Sequence, residues 1–176
     1  LSRNEKSAVI ITGTVTTISE DNHRKALLKR GFSEERIITQ ACPELQSYIE
    51  RNPDGEDTEM LITVYIEEAL SQLPEDVESL FLSLNCSHFG YSEKLWQLAF
   101  DYAEIDLEEI LNPNTIMGNV LMPEKNKNRY KETIINQSVY SKVVIKNKES
   151  MYNVFKESSP ELAEALNNYV IDKDLF

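Results

Sequence analysis

A thiol, a hydroxyl and an imidazole stand side by side at Cys86-Ser87-His88. The deprotonated thiol is the reactive form of cysteine, so Cys86 works as a base or nucleophile only where its surroundings favour the thiolate or a base reaches it. His88 is one candidate for that task, because residues two apart on an extended chain point the same way. The amino end of a following helix is another. The competing reading is inert packing, since cysteine is among the most commonly buried residues.

A second cluster lies near the start of the chain, where Thr12, Thr14, Thr16, Thr17 and Ser19 crowd hydroxyls around Gly13. At a strand-to-helix junction such residues offer short donors and backbone N–H groups to an anion. Threonine also favours strands and bonds locally, so a plain strand end is the bland alternative. Charge bears on the choice. With 30 acidic against 18 basic residues the formal charge is −12, which repels phosphate backbones and anionic headgroups and argues against a nucleic-acid partner. An anionic substrate would be repelled at long range as well, so a site for one needs local donors such as hydroxyls.

The elements that must position these groups follow from periodicity. Ser79 to Leu84 is a short apolar run that delivers Cys86, and Phe89-Gly90-Tyr91 then turns the chain into a periodic segment from Ser92 to Ile105. Ala8-Val9-Ile10-Ile11 predicts a buried parallel strand leading to Gly13, followed by a helix from about Glu20 to Arg30 closed by Gly31. Arg36 to Thr39 is a second strand, and Pro43 fits the first turn of a helix carrying Leu45, Tyr48 and Ile49. Beyond the turn at Asn52-Pro53-Asp54-Gly55, the residues Leu61, Val64, Tyr65, Ala69 and Leu73 recur at helical spacing. The alternation predicts an α/β fold with an open, mainly parallel sheet flanked by helices. In such sheets ligands bind at the carboxyl ends of the strands, which is where Cys86, Ser87 and His88 fall.

Asn112-Pro113-Asn114 breaks the pattern, and Leu111 to Lys131 reads as a linker or long surface loop. Val139 to Lys146 gives one more strand, and Ser159-Pro160-Glu161 opens a last helix with Leu162, Leu166, Tyr169 and Val170 along one side. We therefore expect a lobe over 1–110 and a C-terminal α/β extension over 111–176. No apolar run is long enough to cross a bilayer, which predicts no membrane partner. Two cysteines without a recognisable secretory signal predict free thiols in a reducing, cytoplasmic setting. Two Cys and two His, with His23 far from His88, match no zinc spacing. The chain begins with Leu1 rather than Met, which reads as a fragment or a processed product.

Several of these segments occur together in one family. Gly13-Thr14-Val15-Thr16-Thr17-Ile18, Arg24-Lys25-Ala26-Leu27 with Gly31, Gln40-Ala41-Cys42-Pro43, Val64-Tyr65 and Leu84-Asn85-Cys86-Ser87-His88 follow the order and rough spacing of the aspartate/glutamate racemases. The chain resembles the second half of a member of that family over residues 9 to 90. The resemblance implies an α/β lobe of a two-lobed, cofactor-independent isomerase acting on an acidic amino acid, glutamate or aspartate, with two thiols, one from each lobe, that abstract and return the Cα proton on opposite faces. Cys86 would be one acid/base thiol and His88 would tune it. Thr14, Thr17 and Ser87 would bind the substrate, with the threonines on its carboxylate.

The sequence also departs from the family pattern. The first thiol of the family has no counterpart here, and Cys42, the other cysteine, lies in what is a scaffold motif there. Phe89 and Gly90 stand where the family has tyrosine and proline, and Asn85 where it has glycine. A missing N-terminal lobe, or a second copy in a homodimer, is expected to complete the site, and this chain alone is expected to be inactive. Residues 139 to 176 would be the return of the chain to that lobe. Two other functions fit the same residues. One is a Cys-dependent hydrolase with Cys86 as nucleophile and His88 or His23 as base, for which the sequence supplies no evident third group. The other is a racemase-like module that binds an amino acid without catalysis or regulates a partner.

Overall fold

The computed structural model describes residues 4–126, 129–132, 134 and 136–175. They form two compact units, one of Leu1–Ile49 and Pro53–Pro123, the other of Glu50–Asn52 and Glu124–Phe176. The first unit is α/β, as the alternation of apolar runs and helical periods predicts. Its elements are β1 (Ser7–Gly13), α1 (Val15–Glu20), α2 (Asn22–Lys29), β2 (Ile37–Ala41), most of α3 (Leu45–Arg51), α4 (Glu56–Leu70), β3 (Ser79–Leu84), α5 (Glu93–Tyr102), β4 (Leu107–Leu111) and α6 (Pro113–Leu121). The four strands form one parallel sheet in the order β2-β1-β3-β4.

β1 is buried along its whole length, which explains its unbroken apolar run: a central parallel strand is covered on both faces. Ala8 and Ile10 face a core shared with Leu80, Leu82 and Leu84 of β3 and with Ile62, Ile66, Trp96 and Phe100 of α4 and α5. Val9 and Ile11 face a smaller cluster with Ile37, Ile18, Leu27 and Leu28. Trp96 anchors the larger core. Its ring lies 5.5 Å from that of Phe89 and its Nε1 donates to the Phe89 carbonyl at 3.0 Å, so a buried polar edge finds its acceptor.

The structure corrects several expected elements. The helix expected from about Glu20 to Arg30 is α2, and an unexpected helix, α1, precedes it; the two are separated at Asp21, whose φ of 59° puts it in the left-handed region that Asp tolerates better than most residues. The threonine segment is a strand-to-helix junction: Thr12 lies near the end of β1, Thr14 caps α1, and Thr16 and Thr17 lie in its first turn. α3 begins at Leu45, two residues past Pro43, with Glu44 between them at φ 60°. The fully buried face of α4 is Thr58, Ile62, Ile66 and Ala69; of the expected stripe Ala69 is buried, Leu61, Tyr65 and Leu73 pack partly buried against the same core, and Val64 is exposed. β4 was not expected. Its two exposed glutamates mark an edge strand, where charge guards an unpaired rim and hides the strand pattern. The segment read as a linker holds α6, capped by Asn112 and opened by Pro113, and residues 127 and 128 of that segment lie outside the described residues.

The second unit contains α7 (Lys148–Phe155), packed against α8 (Pro160–Asn167), with Ala163 and Leu166 buried. The strand expected over Val139 to Lys146 is only β5 (Tyr140–Ser141). It pairs in parallel with β6 (Val170–Ile171), so it finds its partner inside the extension, in residues expected to continue the last helix. No helix among the described residues is long and apolar enough to cross a membrane.

Candidate functional site

The sheet order creates the site. From β1 the chain adds β2 on one side and then returns to add β3 and β4 on the other. The connections leaving the carboxyl ends of β1 and β3 therefore diverge, which is the switch point where open parallel sheets take ligands. β1 and β3 are in register to Thr12 opposite Leu84, and the Asn85 N–H extends the ladder by donating to the Thr12 carbonyl at 2.9 Å. Two residues beyond each of these, past the ends of β1 and β3, stand Thr14 and Cys86.

Around Cys86 the chain turns sharply, with the Phe89 N–H donating to the Cys86 carbonyl at 3.0 Å. The turn, rather than an extended strand, brings Cys86 Sγ to 3.6 Å from His88 Nδ1. At that distance a proton can pass between sulfur and nitrogen in either direction, depending on which ring nitrogen carries the hydrogen. Both side chains are half-buried and Ser87 is exposed. Asn85 supports the turn from below. Its Nδ2 donates to the carbonyls of Ser83 at 2.9 Å and Thr12 at 3.2 Å, tying β3 to β1 immediately beneath the thiol.

On the β1 side, Thr14 is the N-cap of α1, and its hydroxyl accepts from the Thr17 N–H at 3.3 Å. The Thr14 and Thr17 hydroxyls lie 3.0 Å apart, so one hydroxyl proton is shared between them and the other is left to donate. Gly13 makes this turn close: a Cβ there would meet Thr17 Cγ2 at 3.1 Å. Thr12 is not part of the hydroxyl group, because it is fully buried and donates to the Ser83 carbonyl at 3.1 Å.

Cys42 follows β2 on the other flank of β1, with its N–H on the Gly13 carbonyl at 2.9 Å. It is fully buried. Burial pushes its thiol up to about 12, and the nearby Cys86 adds to the shift. A thiol held protonated and closed off from solvent is scaffold rather than base. The rest of its motif is scaffold too: Gln40 donates to Glu68 at 2.8 Å, and the Tyr65 hydroxyl donates to the Pro43 carbonyl at 2.9 Å, which ties α4 to the end of β2. No group of three or more His, Cys, Asp or Glu gathers into a metal-binding cluster among the described residues.

Three residues that hold the thiol turn were visible in the sequence only as a turn or as a departure from the family pattern, not as site residues: Asn85, Asn112 and Asn114. Asparagine at loop positions reads as turn chemistry, and only the fold reveals what it bonds. A separate hollow of about 610 Å³ lies at the opposite, amino edge of the sheet, beside Lys6, Arg36 and Asp76. There Arg36 pairs with Asp76 at 2.7 Å while its Nη1 is buried without a partner.

Fold and site together define an α/β domain with a cysteine–histidine pair and a hydroxyl pair at the switch point of a parallel sheet. Comparison of the sequence with protein-family models and with curated proteins gives no match.

Proposed function

We propose that this chain is the thiol-bearing part of a cofactor-independent amino-acid racemase acting on glutamate or aspartate in the cytoplasm. The observation that carries the reading is the Cys86 Sγ to His88 Nδ1 distance of 3.6 Å, at a strand end beside the Thr14–Thr17 hydroxyl pair. A Cα proton next to a carboxylate is weakly acidic, so its removal needs a positioned base and donors for the charge that develops on the carboxylate. Cys86 as thiolate would take the proton, and His88 would accept the thiol proton beforehand. The remaining threonine hydroxyl proton, with Ser87 at the rim, would bind the carboxylate. Inversion requires a second acid on the opposite face of Cα. Cys42 cannot supply it, so a further lobe or a second copy of the chain would.

Deuterium uptake at Cα tests this reading. L- and D-glutamate and L- and D-aspartate are incubated in D2O with this chain and with the protein as the cell makes it. Uptake by the intact protein that disappears in Cys86→Ala is the expected result. No uptake from any of the four substrates would sink the racemase reading. Binding of one of them without exchange would then favour the non-catalytic module, and release of product from an ester or amide would favour a thiol hydrolase.

A further inference from the structure

β3 ends at Leu84, so the turn of Cys86, Ser87 and His88 has no strand ladder of its own. It is held from the side by the β4–α6 junction. Asn114 Nδ2, in the first turn of α6, donates to the Ser87 carbonyl at 2.7 Å. The Asn114 backbone N–H is fixed in turn on Asn112 Oδ1 at 3.0 Å, and Asn112 Nδ2 donates to Glu93 Oε2 at 2.7 Å. Asn112 is buried, and Gly90 lies directly against its amide, where a Cβ would come within 2.6 Å of Oδ1. The result is a continuous strap of hydrogen bonds from Ser87 through Asn114 and Asn112 to the first residue of α5.

The Ser87 carbonyl belongs to the peptide that joins Ser87 to His88. Without the Asn114 anchor the Ser87–His88 segment can shift and carry the imidazole away from the thiol, while the β1–β3 ladder, which ends at Leu84, stays paired. Without Asn114 the oxygen could turn to water, and the 3.6 Å approach would become one of several geometries. We propose that Asn114, braced by Asn112, is a positioning residue that sets the Cys86–His88 geometry. Its chemical consequence rests on the reading of Cys86 and His88 as an acid–base pair, but its test needs no substrate.

The experiment follows two signals in the wild-type protein, Asn114→Leu, which keeps the bulk and removes the donor, and Asn114→Gln, which keeps an amide. One signal is the pH profile of Cys86 alkylation by iodoacetamide, read on the Cys86 peptide by mass spectrometry. The other is the ring-proton titration of His88 by NMR, with His23 as internal control. In Asn114→Leu we expect both midpoints to move by about half a pH unit or more, with His23 unchanged and partial recovery in Asn114→Gln. Native Trp96 emission certifies the fold, and Asn114→Ala replaces Asn114→Leu if that emission is lost. Superposition of both wild-type and variant curves overturns the proposal. A moved His88 titration with an unmoved alkylation profile keeps the positioning role and sinks the acid–base reading of the pair.

Discussion

At the scale of single residues, the two cysteines have opposite characters that their neighbours explain. Cys86 lies half-buried at the end of a strand with an imidazole in reach, while Cys42 is closed inside the core with its thiol pushed up to about 12 by burial. The sign of the resulting pH dependence follows from linkage. An unfolded chain ionises Cys42 near its ordinary value of 9.0, whereas the folded chain holds the proton until about 12. The neutral thiol therefore contributes stability that is fully present below pH 9 and is lost as pH rises toward 12. Its loss amounts to roughly 1.4 kcal/mol per pH unit in that window. Urea titrations of wild type and Cys42→Ala between pH 8 and pH 11 should differ by about that slope, with the variant less stable at pH 8 and flatter above pH 9. Parallel curves would mean that Cys42 ionises alike in both states. Alkylation at neutral pH should label Cys86 and spare Cys42, which peptide mass mapping reads directly.

Among the elements, the crowded contacts lie where the strands end. Gly90 sits in the turn between β3 and α5, with no unusual backbone demand but with the Asn112 amide pressed against it. Gly90→Ala must displace Asn112, which caps α6 and bonds Glu93. The steric cost should be about 1–3 kcal/mol by urea unfolding, in the range of overpacking at a well-filled position. A loss under about 0.5 kcal/mol, the size of an ordinary surface change, would show that Asn112 yields freely. Element by element, the sequence was legible where one physical rule dominated. β1 has a uniform apolar run because it is buried along its whole length, while β2 and β3 keep enough buried apolar positions beside it to be read, and the turn residues mark their ends. β4 was hidden because an edge strand needs only one apolar flank and carries its glutamates outward. The break between α1 and α2 was hidden because it depends on the backbone of Asp21 and on the Thr14 cap, neither of which alters the hydrophobic pattern.

In the whole molecule, both core clusters lie within the sheet unit, and the second unit has its own buried residues, Ala163 and Leu166. A chain truncated after Pro123 should therefore keep a cooperative unfolding transition. Trp96 is the single tryptophan and is fully buried against Phe89 inside that unit, so its emission should remain blue-shifted in the truncated chain. A red-shifted, non-cooperative product would show that the sheet unit needs the rest of the chain. The sequence by itself determined the fold class, the central strands and the residue types that could do chemistry, because apolar periodicity and side-chain chemistry are local properties. The tertiary structure alone decided which of those residues meet. Cys86 and His88 are neighbours because the chain turns beyond β3, and Thr14 and Thr17 share a proton because one caps the other's helix. Cys42 is withdrawn because it closes the core beneath β1. Asn112 and Asn114, which the sequence shows only as a break in the pattern, reach the thiol turn because β4 lies beside β3. Such contacts depend on strand order and on the direction of each turn, which are set by the packing of the whole unit rather than by any one segment.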